Sequence, residues 1–411
     1  MVVNFVAALA FSIVLPFLVY MLQDFKGTEK LYGIVTASFP LMQLIGAPLL
    51  GSWSDRVGRK RVLLVSHFGT FVSWCVLLTA LFVPMSTLVN LKAYGYGLIT
   101  LPLLMLVLAR ALDGITGGNI AVANAYLADV TADEERKVRF GWLSMSMNLG
   151  FVIGPALGGI LAGSTHNYVP VVATVCGIML VGLFVLIVFL KEPPKLKTDD
   201  DKPFEKPNTR RLLNIENVPY MLLLNLLIFL GFNTFYTSFP LHAAAGLGWT
   251  ETELGIFFVF LSGTMILTQG VLLKYSSRLF SDTVLVVGGL VLLAGAFAMM
   301  FLIESWPIYI SGILFGLGNG HMWPTFLAIL AKTPPKKHQG GVQGLASSAG
   351  SVASIAGLIL GSYMYDAYGA WAFLISAVVM LVVAVLSLRI EQCKRRPTDD
   401  EKEDPFGLEG A

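Results

Sequence analysis

The sequence predicts an all-α integral membrane protein with twelve transmembrane helices in two pseudo-symmetric six-helix bundles. Three observations predict it. Only 13% of the 411 residues are charged and 55% are hydrophobic, with a mean hydropathy of +0.73. A soluble protein carries about 25% charged residues, so this chain lacks the charge to cover a water-facing surface of its size. Twelve apolar runs each approach or exceed the roughly 20 residues that cross a bilayer. The basic residues fall almost entirely in alternate connections between those runs. The composition excludes a cytosolic enzyme and a nucleic-acid binder.

The runs cover roughly 2–23, 31–53, 62–84, 98–128, 138–163, 168–190, 216–245, 251–273, 283–303, 307–331, 341–366 and 370–389. The first has no basic n-region and no small-residue cleavage site, so it reads as a span rather than a signal peptide. The longer runs imply tilt or extension beyond the lipid. Of the 28 Lys and Arg, 24 fall on one face; Lys26, Lys30 and Lys92 fall on the other, and Arg110 lies within a span. The positive-inside rule then places both termini in the cytoplasm, and a cell inner membrane is expected. Residues 191–215 are rich in Pro and charge and read as a cytoplasmic linker between bundles 1–190 and 216–390. The charged stretch 391–411 reads as a cytoplasmic tail. Weak internal repetition supports two related halves: Gly51 and Arg59 are echoed by Gly270 and Arg278, and Gly154–Gly158 by Gly357–Gly361.

Three stretches carry unusual chemistry. Between the second and third runs lies GSWSDRVGRKR, Gly51 to Arg61. It is a tight basic turn in which Gly58 permits a positive φ. Asp55 can set its charge against a helix N-terminus. A cluster that only sets topology explains the same residues equally well. In the fourth run Arg110 and Asp113 share one helix face. A mid-membrane charge costs at least ~2.5 kcal/mol, so the two are either functional or an internally neutralised structural pair. In the fifth run Gly150, Gly154, Gly158 and Gly159 make a smooth face for close helix approach, and Pro155 removes a backbone donor and kinks the helix.

These stretches resemble the signatures of the major facilitator superfamily. The turn is similar to the loop G-x-x-x-D-R-x-G-R-[KR]-[KR], matched by Gly51, Asp55, Arg56, Gly58 and Arg59. The resemblance implies the major facilitator fold and a gating latch in the outward-facing state. There Asp55 would lie near the N-terminus of span eleven, and Arg59 would pair with Asp129 at the end of span four. The fourth run resembles R-x-x-x-G-x-x-[GA], whose Arg, here Arg110, is tied to proton transfer; Asp113 is its counter-ion or the proton site itself. The fifth run resembles the antiporter motif G-x-x-x-G-P-x-x-G-G of the drug:proton branch, and the fourth looks like the tetracycline-efflux type. One departure stands out. Such pumps carry an Asp about nine residues before the first-span Pro, and here Ala7 stands before Pro16. Asp113 then carries the proton, or the coupling differs, or there is no antiport.

Neutral polar residues inside apolar runs must find partners in lipid. Gln43, Asn119, Asn148, Asn233, Tyr236 and Asn319 are candidates for the substrate cavity, and each is equally explained by an interhelical hydrogen bond. His321 is a second proton candidate, because His titrates near neutral pH. No phosphate loop, metal spacing or catalytic constellation is present in the sequence, so no cofactor and no enzymatic activity are expected. The leading expectation is a monomeric secondary transporter, coupled to protons, that exports a small apolar or amphipathic organic compound. An uptake symporter or facilitator on the same fold is the alternative, and a non-transporting receptor or scaffold is the alternative of another class.

Overall fold

Backbone groups in lipid must bond within their own segment, so apolar runs of this length fold as helices. The computed structural model describes residues 2–14, 16–131, 133–162, 167–192, 209–302, 304–335 and 339–393. Residues 193–208 of the expected linker and 394–411 of the expected tail lie outside the described residues. The first half contains α1 (Val2–Ile13), α2 (Leu18–Asp24), α3 (Glu29–Val57), α4 (Arg59–Ala80), α5 (Leu101–Gly117), α6 (Asn119–Val130), α7 (Asp133–Ala162) and α8 (Val169–Phe189). The short α9 (Thr209–Leu213) leads into α10 (Val218–Ala245), α11 (Glu251–Leu267), α12 (Leu273–Leu279) and α13 (Asp282–Met299). Then follow α14 (Ser305–Lys332), α15 (Gln339–Tyr368), α16 (Trp371–Ser387) and α17 (Ile390–Cys393).

Each of the twelve apolar runs contains helix among its described residues. Among the described residues, nine helical stretches are long and apolar enough to cross a bilayer, and the bent pair α1–α2 makes a tenth. Leu149–Ala162 and Trp371–Ser387, in the fifth and twelfth runs, are apolar but shorter.

Packing repeats between the halves. α1 lies against α7 as α10 lies against α15. α3 meets α5 as α11 meets α14, and α4 meets α8 as α13 meets α16. The same correspondence exchanges the two main contacts between halves, α3 with α15 and α7 with α11. Two independent bundles would not interlock in this reciprocal way, so the halves are related by a pseudo-two-fold operation.

Three features depart from the predicted runs. The first run is not one straight helix. α1 and α2 meet at 50°, because Pro16 removes a donor and blocks the helix. The fourth run starts later than residue 98. Gly97–Thr100 is β2, paired antiparallel with β1 (Thr87–Leu91), Asn90 facing Leu98 and Leu91 facing Gly97. Short apolar stretches such as Leu98–Thr100 suit a strand as well as a span. Thr100 then caps α5 by accepting from the Leu103 N–H at 3.4 Å. Finally, α11 and α12 are joined by a π-helical turn at Thr268–Leu272, around the Gly270 that echoes Gly51.

Candidate functional site

One end of the molecule carries Arg56–Arg61 and is here the basic end; the end carrying Lys30 is the far end. At the basic end α3 stops at Gly58, whose φ of 104° a side chain rarely adopts. A Cβ there would also lie 2.6 Å from Glu192 Oε1. That carboxylate accepts from the Lys60 N–H at 3.2 Å at the start of α4. Arg59 is drawn inward. Its Nε donates to Asp129 Oδ2 at 2.9 Å, and its Nη1 lies 2.5 Å from Asp55 Oδ1 and 2.6 Å from Ser54 Oγ. One guanidinium therefore ties the α3–α4 turn to the end of α6.

Asp55 is 63% exposed and its ion pair is within its own turn, with Arg59. Residues 336–338, just before the first turn of α15, lie outside the described residues. Among the described residues, several positions on α3 and α15 have room around them. A Cβ at Gly51 or Gly344 would meet nothing within 4 Å, and Leu49, Trp53 and Val352 are exposed. Leu49, Leu50, Ser52, Trp53 and Arg56 line a groove of about 350 Å³.

The far end is shut by contacts between the halves. Lys30 pairs with Asp366 at 3.3 Å, the Tyr96 and Tyr363 hydroxyls meet at 2.5 Å, and Ser362 Oγ donates to the Glu29 carbonyl. Tyr20 donates to the Trp249 carbonyl at 2.6 Å. Among the described residues, these polar contacts between the halves gather at the far end.

Between the ends, α5 buries Arg110 and Asp113, each 5% exposed, with Nη1 to Oδ2 at 3.5 Å. The guanidinium carbon lies 4.9 Å from the Phe39 ring centre and 5.7 Å from that of Phe11. Stacking on two rings, from α3 and α1, compensates part of the desolvation of the cation. Arg110 Nε has no hydrogen-bond partner among the described residues. On the same α3–α5 seam, Gln43 Nε2 donates to the Gly117 carbonyl at 3.2 Å. Asn119 is buried just beyond, and its side-chain oxygen has no partner among the described residues.

Apart from Asn148, the remaining candidates lie on α10 and α14. Asn233 donates to Ser354 Oγ at 3.0 Å and to the Phe229 carbonyl at 2.8 Å. Tyr236 sits among Phe232, Phe235 and Phe258. Asn319 lies 3.8 Å from Met265 Sδ. His321 turns back to the Leu317 carbonyl at 2.8 Å and forms no ion pair among the described residues. The structure gives His321 no contact with Arg110 or Asp113. Asn148 belongs to α7, but its side chain lies outside the described residues.

The glycine face of α7 serves two contacts. Gly150, Gly154 and Gly158 rest on the backbone of α1, where a Cβ would strike Phe5 O, Ser12 Oγ or Ile13 O. Ser12 Oγ clinches the contact by donating to the Gly150 carbonyl at 3.1 Å. Gly159 instead meets the other half, where its Cβ would lie 2.7 Å from Gly255 Cα. Pro155 lies on this face too, its carbonyl 3.2 Å from where a Gly255 Cβ would be. Gly159→Leu is therefore expected to prise the halves apart at the far end. Overpacking costs about 1–3 kcal/mol. The expected readout is a lower Tm and faster alkylation of a cysteine placed at Tyr363; an unchanged rate would count against this contact as a seal.

Phe11, Phe39 and Glu192 were not singled out from the sequence, because aromatic residues and a lone Glu are ordinary in such runs. At the far end the Tyr168 hydroxyl lies 3.1 Å from Asp24 Oδ2 and 3.2 Å from Glu251 Oε1, a grouping of residues that are equally ordinary one by one.

The family model of the Major Facilitator Superfamily matches residues 1–305 and 221–410. The chain is 28% identical over 378 residues to the class D tetracycline resistance protein of Salmonella ordonez, covering 89% of this chain and 88% of that one. It is 24% identical over 394 residues to multidrug resistance protein 1 of Bacillus subtilis, covering 93% of each. The inward open xylose transporter from E. coli superposes with a TM-score of 0.70 at 15% identity, covering 94% of both chains. The signature turn, the reciprocal helix packing and the family match agree: the chain belongs to the Major Facilitator Superfamily of membrane transporters.

Proposed function

We propose that this chain is a proton-coupled exporter of a small apolar or amphipathic organic compound, working by alternating access between two bundles of six spans. The observation that carries the reading is the buried Arg110–Asp113 pair, held under two rings. In this reading the basic end and both termini face the cytoplasm of a plasma membrane, and the monomer is the working unit. The relatives named for tetracycline and multidrug resistance support a drug-like cargo.

Asp113 and Arg110 are jointly neutral while Asp113 is ionised. A proton on Asp113 leaves Arg110 as an unbalanced buried charge, which is costly in low dielectric. That cost favours whichever conformation gives Arg110 water or another acceptor, and so links proton binding to the change of access. The glycine face of α7 keeps the α1 and α11 contacts tight, against leak. The groups of Gln43, Asn119, Asn233, Tyr236 and Asn319 are the polar handles along the path, with His321 on α14.

The test is transport in proteoliposomes holding the purified protein and a fluorescent cationic dye or tetracycline. An imposed proton gradient should drive the compound opposite to the protons, and a protonophore should abolish it. Movement in the same direction as the protons would replace export with uptake. Ala7, in place of a first-span acid, is the observation that favours that second reading.

A further inference from the structure

Residues 81–100 join α4 to α5 at the far end. Helix–helix connections in bundles need about 2–8 residues, so this one exceeds what linking requires. The surplus is the β1–β2 hairpin, with the turn Lys92–Tyr94 between its strands. The side chain of Lys92 lies outside the described residues. An isolated two-stranded hairpin is only marginally stable in water, so its order must come from what it rests on.

The first half holds the hairpin at its base and at its tip. At the base, the Leu101 N–H donates to the Ser86 carbonyl at 3.0 Å, and Thr100 Oγ1 donates to the Phe25 carbonyl at 2.9 Å. At the tip, Thr28 Oγ1 donates to the Tyr96 carbonyl at 3.4 Å. The tip also fits closely over the start of α3. A Cβ at Gly97 would lie 2.9 Å from Thr28 Cγ2, and one at Gly95 would lie 3.0 Å from Lys30 Nζ. Gly95 and Gly97 have φ of 78° and 77°, a conformation that side chains rarely adopt. The chain therefore turns sharply on either side of Tyr96.

Tyr96 is the point at which the hairpin reaches the second half. Its hydroxyl meets that of Tyr363 on α15 at 2.5 Å. Tyr363 stands one helical turn before Asp366, which Lys30 pairs at 3.3 Å across the same seam. The two attachments are unequal. The hairpin is covalently continuous with α4 and α5, and it is bonded to the first half through backbone carbonyls. Tyr96 holds α15 through a side-chain hydroxyl, which exchanges its partner for water when it lets go.

We propose that the β1–β2 hairpin is a strap across the far end. It stays with the first half through the transport cycle, and it releases α15 by parting Tyr96 from Tyr363 each time the far end opens. The strap biases the molecule toward the state in which the far end is shut. The hydroxyl contact is its catch, and a hydrogen bond of ordinary net strength shifts a two-state ratio about fivefold. The proposal rests on the alternating-access part of the reading above, and it is independent of the coupling ion and of the direction of transport.

The test uses the full chain in lipid nanodiscs, with its native cysteines replaced by Ser and spin labels introduced in pairs. Phe82 with Tyr94 reports within the first half, and Tyr94 with Leu302 reports across the seam; all three positions are exposed. Double electron–electron resonance should give one fixed Tyr94–Phe82 distance in every sample. The Tyr94–Leu302 distance should divide into a short and a long population. Tyr96→Phe and Tyr363→Phe should each raise the long-to-short ratio about fivefold. The double variant should match either single one, because each removes the same bond. A ratio unchanged in both single variants, or effects that add in the double variant, would overturn the catch. A Tyr94–Phe82 distance that varies while Tyr94–Leu302 stays fixed would show the hairpin riding on α15 and overturn the strap. Proton-driven efflux of dye by the same variants in proteoliposomes separates the two readings. Efflux with an unresponsive distance ratio sinks the strap alone, and a responsive ratio without efflux sinks the exporter reading alone.

Discussion

Asp113→Asn is expected to reduce uphill, proton-driven export to background while sparing exchange of the compound down its own gradient. The amide has nearly the shape of the carboxyl and accepts no proton, so the proton cycle stops but the path stays. The substitution also leaves Arg110 charged and buried without its counter-ion. Breaking such a pair costs about 3–5 kcal/mol. The rings of Phe39 and Phe11, at 4.9 Å and 5.7 Å, offset part of it, because a desolvated cation–π contact contributes about 2 kcal/mol. The variant should therefore fold with a clearly lowered Tm. Arg110→Gln combined with Asp113→Asn removes both charges and should recover much of the Tm without recovering coupling. Recovery of coupling by the double variant would make the pair purely structural.

The ease with which these parts could be read from the sequence follows their physics. Spans declare themselves because lipid demands unbroken apolar runs, and nine helical stretches among the described residues, or ten with the bent pair, are long and apolar enough to cross. The α3–α4 turn was legible because Gly58 and its flanking charges act locally, and the pairing of Arg59 with Asp129 at 2.9 Å is as the resemblance implied. Gly150, Gly154 and Gly158 were legible as a packing face, although the sequence did not say that they meet α1 while Gly159 meets the other half. The bend at Pro16 was hidden because hydropathy does not register direction. The hairpin at Thr87–Thr100 was hidden because Leu98–Thr100 merges into the apolar run behind it. The far-end acids were the hardest to foresee. Asp24, Tyr168 and Glu251 come from three separate connections, and each is ordinary by itself. A signal was nevertheless available, in the Thr-Glu-x-x-x-Gly-Ile pattern shared by residues 28–34 and 250–256.

Asp55→Asn should leave folding almost untouched and still impair transport severely. In the conformation described, Asp55 is 63% exposed, and an exposed ion pair contributes about 0–1 kcal/mol. Arg59 keeps its bond to Asp129 in the variant, so the turn stays tied to α6. The Tm should shift only slightly. On the latch reading, the effect belongs to the opposite conformation, with the basic end shut and the first turn of α15 near the α3–α4 turn. A carboxylate at a helix N-terminus contributes up to about 2 kcal/mol in a partly buried setting. Losing that much from one side of a two-state equilibrium shifts it by about 30-fold, and transport needs both states. Turnover should fall by an order of magnitude or more (~10-fold), with the far-end-open population depleted when the distance between spin labels at the exposed Phe82 and Leu302 is measured by double electron–electron resonance. Asp55→Glu, which keeps the charge on a longer arm, should retain part of the activity. Arg59→Ala should behave differently, losing Tm and transport together, because its guanidinium binds the turn to α6 in the present state. Normal turnover in Asp55→Asn would show that the basic turn sets topology and does not latch.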